Sequence, residues 1–142
     1  MNRQTMTRHF VEPDPDHRWA SAAKGLLADG TLYLSGQVAL DDDMNVVGGD
    51  IRTQADRALG NIRDVLRAAG GTMADIVHLT LYFVNRDDAP GYFEVARRFF
   101  GASPPPATGV VIAGLLRPEL LIEIDARAVI SAAGGNSREV PA

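Results

Sequence analysis

The chain has no cysteine, which removes disulfides, thiol nucleophiles, iron–sulfur clusters and zinc ribbons from consideration. Aromatic residues make up only 6% of its 142 residues, and 14 Lys and Arg face 18 Asp and Glu, a formal net charge of −4. That balance disfavours duplex DNA and anionic membranes, which both require a basic face. RNA is disfavoured too, because no basic stripe with interleaved aromatics is present. No apolar run approaches the roughly 18 residues of a membrane span, and Met1 to Phe10 mixes Arg, Asn, Gln and Thr where a signal peptide would be apolar. The expectation is a soluble, cytoplasmic protein. One domain covers residues 1–130, and a loose polar tail covers 131–142.

Several chemical signatures are missing as well. There is no GxGxxG, no GxxxxGK[ST], and no GxSxG around Ser21, Ser35 or Ser103, so no nucleotide cofactor or serine elbow is expected. Asp41-Asp42-Asp43-Met44-Asn45 begins like a calcium loop, but Val46 stands where a glycine is needed and Arg52 where a glutamate would close it. A turn is the better reading. His9, His17 and His78 have no partner at metal-ligand spacing, so no metal is expected.

What the chain does carry is periodicity. His9-Phe10-Val11, followed by Pro13 and Pro15, suggests an edge strand and a stiff connection. Ala22–Ala28 and Thr31–Leu40 flank Asp29-Gly30, a hairpin signal. In the second of these runs Leu32, Leu34, Gly36 and Val38 alternate with Tyr33, Ser35, Gln37 and Ala39. Ile51, Ala55, Ala58, Leu59, Ile62, Val65, Leu66 and Ala69 repeat at helical spacing, with Asp50 to cap the start and Gly70-Gly71 to end it. Asp75–Val84 predicts a strand with Val77, Leu79, Leu81 and Phe83 on one face, and a second helix runs from Asp88 to Gly101 with Pro90 in its first turn. After the proline run, Thr108–Ala113 and Leu120–Ile130 complete the strands. The order predicts an α+β two-layer sandwich, one mixed sheet covered by two helices on one face. Its other face mixes Tyr33, His78, Thr80, Tyr82, Glu123 and Arg127 with apolar neighbours, as a surface shared with another subunit does.

Two places could carry chemistry. Glu123 lies inside the most apolar strand, where desolvation raises a carboxyl pKa toward the range of a general acid or base; a charged stripe on a wet face is the alternative. Pro104-Pro105-Pro106 stiffens the approach to Ala107, Thr108 and Gly109, whose hydroxyl and N–H groups could hold a carbonyl or carboxylate; a plain connector is the alternative.

Leu34-Ser35-Gly36-Gln37, the Gly48-Gly49-Asp50-Ile51 helix opening with Gln54, Ala68-Ala69-Gly70-Gly71, Asp75-Ile76-Val77, Pro106-Ala107 and Ile122-Glu123-Ile124-Asp125-Ala126 together resemble the RidA (YjgF/YER057c/UK114) family. The likeness runs through about residues 20–130. It implies a chorismate-mutase-like homotrimer with helices outside, sheets around the axis and small-molecule sites in clefts between subunits. The implied activity is hydrolysis of a small enamine or imine metabolite to a carbonyl compound and ammonia, without a cofactor.

By this resemblance Glu123 is the catalytic residue that positions water, while Ser35, Gly36, Ala107 and Gly109 line the substrate site. The family's carboxylate-clamping arginine is replaced by Thr108, its tyrosine by Ala22, and a polar residue of the second helix by Phe93. A charge-assisted hydrogen bond is worth about 1.5–3 kcal/mol, so a small α-imino acid should bind more weakly by one to several powers of ten. Arg117 is the candidate substitute. The chain then resembles an arginine-lacking branch with an altered substrate, and a non-catalytic binding or interaction trimer is the alternative.

Overall fold

The computed structural model describes residues 6–14 and 22–131. Pro15, His17, Ser21 and residues 132–142 of the predicted tail lie outside them. Six strands form one sheet: β1 (Arg8–Val11), β2 (Gly25–Ala28), β3 (Thr31–Leu34), β4 (Ile76–Phe83), β5 (Ala107–Val111) and β6 (Ile122–Val129), in the spatial order β1-β2-β3-β6-β4-β5. The β4–β5 pair is parallel and the others are antiparallel, so the sheet is mixed.

Helices α1 (Ile51–Ala68) and α2 (Ala89–Phe100) follow β3 and β4. The Asp50 carboxylate accepts from the Thr53 N–H at 3.0 Å and caps α1, while Gly70, at φ +81°, makes the left-handed exit a side chain would resist. The apolar stripe of α1 is buried almost completely, with Ala55, Ala58, Leu59, Ile62, Val65 and Leu66 at 0% exposure. It packs on Leu32, Leu79, Leu81, Ile122, Ile124 and Ala126 from the sheet. Each fully buried Leu or Ile contributes about 2 kcal/mol through apolar transfer. No helix among the described residues is long and apolar enough to cross a membrane.

Two strands depart from simple alternation. Tyr33 pairs with Arg127 and Gln37 with Ile124, so Leu34, Ser35 and Gly36 stand opposite only Asp125 and Ala126. That extra residue is a β-bulge, and it exchanges the faces beyond it. Gln37 and Ala39 are buried at 1% and 0% exposure, and Gly36 turns to the helix-free face, the reverse of the expected alternation. In β4, Ile76 pairs with Ala128 and His78 with Arg127, which leaves Val77 as the unpaired residue. Val77 is therefore 45% exposed rather than in the core, and Ile76 takes the buried place.

β2 also starts later than Ala22. The Ala23 carbonyl accepts from the Ser35 hydroxyl and the Lys24 N–H donates to Glu12, so side chains occupy groups a longer ladder would have used.

Candidate active site

Ile122 and Ile124 are 0% exposed on the helix side, so strand alternation sends Glu123 to the opposite face. There the bulge has turned Gly36 toward it. A Cβ built on Gly36 would lie 2.6 Å from the Glu123 Oε1, so any side chain there would force the carboxyl to move. The carboxyl is half-buried. Burial first, and the negative charge of Asp125 second, push its pKa above the ordinary value.

Glu123 and Gly36 share a cavity of about 200 Å³ with Leu40, Met44, Leu116 and Arg117. Arg117 donates to the Met44 carbonyl at 2.8 Å, which holds its guanidinium on this wall. The loop that carries Arg117 is pinned from below by Gln54, which is 1% exposed. Its Nε2 donates to the Glu119 carbonyl and its Oε1 accepts from the Leu121 N–H, both at 2.8 Å. Ser35 is adjacent, its hydroxyl committed to Ala23 at 2.6 Å. Ala22, exposed, precedes that carbonyl.

The other predicted residues lie elsewhere. Ala107 and Gly109 face the helix side beside Leu81 and Phe83, and with Arg86, Phe93 and Val111 they line an apolar groove of about 300 Å³. The Leu79 N–H bonds to the Pro106 carbonyl and the Ile112 N–H to the Phe83 carbonyl. Parallel pairing uses alternate residues, so the Gly109 N–H points to the open edge of β5. Thr108 faces the other side, its hydroxyl 3.5 Å from the His78 Nε2. Thr108 and Glu123 share the helix-free face but stand two strands and one residue pair apart, about 12 Å. One chain therefore brings together Gly36, Arg117 and Glu123 with Ser35 beside them, and separately Phe93, Ala107 and Gly109.

The endoribonuclease L-PSP family matches residues 10–130. The chain belongs to this family, which is the RidA/YjgF family of the resemblance. Solved structures agree. A Rid-family protein of unknown function, YyfA from Yersinia pestis, is 25% identical, with 87% of this chain and 100% of that one aligned at a TM-score of 0.81. A protein of unknown function from Pseudomonas aeruginosa is 29% identical over 89% of this chain and 94% of its own, at 0.79. A YjgF/YER057c/UK114 family member from Mycobacterium tuberculosis is 26% identical over 87% and 100%, at 0.76.

Within this RidA-family chain, sequence reasoning had missed three residues. Gln54 had a visible signal, a polar residue in the apolar stripe beside Ala55. Arg86 had none, because only the tertiary fold sets it beside the apolar groove, and His78, read as part of the mixed face, gains its neighbour Thr108 only in the fold. The aspartate run is a turn: Asp41 Oδ1 accepts from the Asp43 N–H at 3.0 Å and the Asn45 N–H at 2.9 Å. Among the described residues no three His, Asp or Glu converge as metal ligands.

Proposed function

We propose that the protein hydrolyses a small enamine or imine, or a related carbonyl metabolite, in a cleft formed between copies of the chain, with Glu123 as general base. The observation that carries this reading is the Glu123 carboxyl, half-buried over Gly36 with its pKa raised by burial. A carboxylate whose charged form is disfavoured by burial is a stronger proton acceptor than a solvated one, as a general base requires. As a carboxylate Glu123 takes a proton from water while the water oxygen bonds to the imine carbon. The C=N π pair moves to nitrogen, which takes up the proton that Glu123 removed from the water, so the carboxylate is regenerated. In the resulting carbinolamine the Glu123 carboxylate passes the hydroxyl proton to nitrogen, the C–N bond breaks to release ammonia, and the oxygen pair forms the C=O bond. The Gly109 N–H, free on the edge of β5, is a donor suited to the developing negative charge.

Assembly between copies is supported by the division of the predicted residues into two cavities that one chain keeps apart. A trimer would set the β5 edge of one copy beside the Glu123 cavity of the next. Arg117, already on the Glu123 wall, is the cation available to a substrate carboxylate in the absence of an arginine at Thr108. The non-catalytic alternative draws on one observation, the neutral Thr108 at the clamping position. RNA cleavage, which the family's description names, has less support in a chain of net charge −4.

The test is Glu123→Gln, with ammonia release measured on freshly generated α-imino acids and uncharged imines. Loss of about 100-fold or more in kcat/KM is expected. An unchanged rate, or no wild-type rate on any imine, overturns the catalytic reading. Light scattering at three times the 15.2 kDa chain mass is expected, and a monomer overturns the cleft.

A further inference from the structure

The turn after Leu40 holds one residue in a conformation that its side chain resists. Leu40 and Val46 form a bridge, the Asp41 N–H donates to the Asn45 carbonyl at 2.9 Å, and the Met44 N–H donates to the Asp41 carbonyl at 3.1 Å. Such a short hairpin needs left-handed backbone at its last turn residue, a place that glycine fills most easily. Here Met44 fills it, at φ +65°. Asp29 is the other non-glycine with positive φ among the described residues, and aspartate tolerates that region through its short polar side chain. Methionine has no such compensation.

The conformation brings two parts of Met44 to the Glu123 site. Its carbonyl accepts from Arg117 at 2.8 Å, and its side chain joins the wall of the Glu123 cavity. Glycine would offer the same carbonyl without strain, so the side chain is what methionine adds. It extends an apolar surface that Val38, Leu40, Leu115, Leu116 and Leu120 also form, with Glu123 and Arg117 as the only charged groups of the wall. Those two charges are opposite in sign, so the wall has no net charge with which to draw an ion out of water. A second copy that closes the cleft does not alter which side chains this chain supplies.

We infer that this wall binds the hydrocarbon chain of the substrate, that Met44 is a specificity-determining residue, and that the substrate class is an uncharged imine on an aliphatic chain. The inference rests on the reaction proposed at Glu123 and names the substrate that this site selects. Within one chain the cavity of about 200 Å³ holds about seven water-sized groups at about 30 Å³ each, the size of an imine on a chain of about five carbons. Each methylene moved from water onto the wall favours binding by up to about fourfold, so three methylenes separate a five-carbon from a two-carbon imine by about tenfold to 50-fold.

Two readouts test it. In the first, kcat/KM for ammonia release is compared between the imines that a flavin amine oxidase generates from ethylamine and from pentylamine. In the second, calorimetric titration compares acetamide with pentanamide, uncharged analogues that do not react. The five-carbon member should be favoured by about tenfold or more in both. Met44→Gly relieves the strain, and should keep Tm within about 3 °C while cutting that preference by about fourfold or more, chiefly through KM. Met44→Gln keeps the length and the backbone but brings an amide to the wall, and should cut the preference as well. Met44→Leu should retain it. A pentanamide preference that Met44→Gly reduces, with no imine hydrolysed, would overturn the general-base reading and leave the wall standing. Hydrolysis of both imines at equal kcat/KM would overturn the wall and leave the general base. Equal affinity for the two amides, no saturable binding of pentanamide up to about 10 mM, or a preference that neither Met44→Gly nor Met44→Gln reduces would also overturn the inference. So would a Tm loss above about 6 °C in Met44→Gly, which would assign the side chain to the fold.

Discussion

Replacing Gly36 by alanine isolates the contact on which the Glu123 site is built. The added Cβ would lie 2.6 Å from Oε1 and 2.9 Å from Cδ of Glu123, where ordinary contact begins at 3.4 Å. The carboxyl must therefore retreat by about 0.8 Å, the difference between those distances. Gly36 is not among the glycines with positive φ, so the backbone accepts alanine without strain. What yields is the free end of a side chain, at an off-rotamer cost of about 1 kcal/mol, or about 3 °C in Tm for a domain of this size. Catalysis is far more sensitive, since a displacement near 1 Å costs about 100-fold. Gly36→Ala should thus fall tens of fold to about 100-fold in kcat/KM for imine hydrolysis with its melting temperature nearly kept. A double-mutant cycle sharpens this: in a Glu123→Gln background the alanine should cost almost nothing further, because both changes act on one carboxyl. Full activity of Gly36→Ala would refute the positioning argument. A loss above about 3 kcal/mol in denaturant unfolding would show that the glycine serves the fold instead.

Glu123→Gln should raise Tm near pH 7 and leave it unchanged below the ordinary carboxyl value of 4.5. The folded carboxyl titrates above the unfolded one, so the folded state binds more protons between the two values and stability falls as pH rises through that window. A Tm difference equal at both pH values would contradict burial as the cause. Gln54→Leu strands the Glu119 carbonyl and the Leu121 N–H, and should cost about 2–4 kcal/mol in guanidinium unfolding. It should also raise KM, because the Arg117 loop loses its anchor; a loss below about 1 kcal/mol would mean water replaces the side chain. Gly91→Ala sets a Cβ 2.5 Å from Ile51 Cγ2 at the α1–α2 crossing. Overpacking outweighs the gain in helix propensity, for a net loss of about 1–2 kcal/mol or roughly 3–6 °C in Tm. Ile51→Val in the same chain should restore part of it, and no change on melting would show that the helices simply move apart.

Much of the fold was legible because its signals are local. The stripe from Ile51 to Leu66 and the alternation of Ile122, Ile124 and Ala126 each report one buried face, and both are seen in the structure. The two failures have one cause. A β-bulge inserts a residue without changing composition, so the faces assigned to Gly36, Gln37 and Val77 were each exchanged. Gly36 did carry a hint, since a lone glycine within a strand pattern accompanies either a bulge or a close approach. Here it accompanies both. Nothing marked Val77, a good strand former in either register.

The site was legible only in pieces, and the reason lies in the distribution of charge. Spacing placed Glu123 on the helix-free face, but not the group that would answer a substrate's charge, because the guanidiniums reach their places through tertiary contacts. Arg117 is set by its bond to the Met44 carbonyl and by a loop that Gln54 anchors, sixty-odd residues earlier in the chain. Arg86 comes to the apolar groove at the turn into α2, and Arg127 is steadied by the ring of Tyr33. Thr108 stands at the place where the family resemblance expects an arginine, and the three guanidiniums named here lie apart from one another, each in a different cavity. Charge lost at one point of a sheet does not return as the same clamp elsewhere. It returns with a new neighbour: Glu123 for Arg117, an apolar wall for Arg86, Asp125 for Arg127. A ligand chosen by any of these must match that neighbour too, so with Thr108 at that place the proposed reaction is expected to favour uncharged imines over α-imino acids, which the relative kcat/KM on the two classes checks.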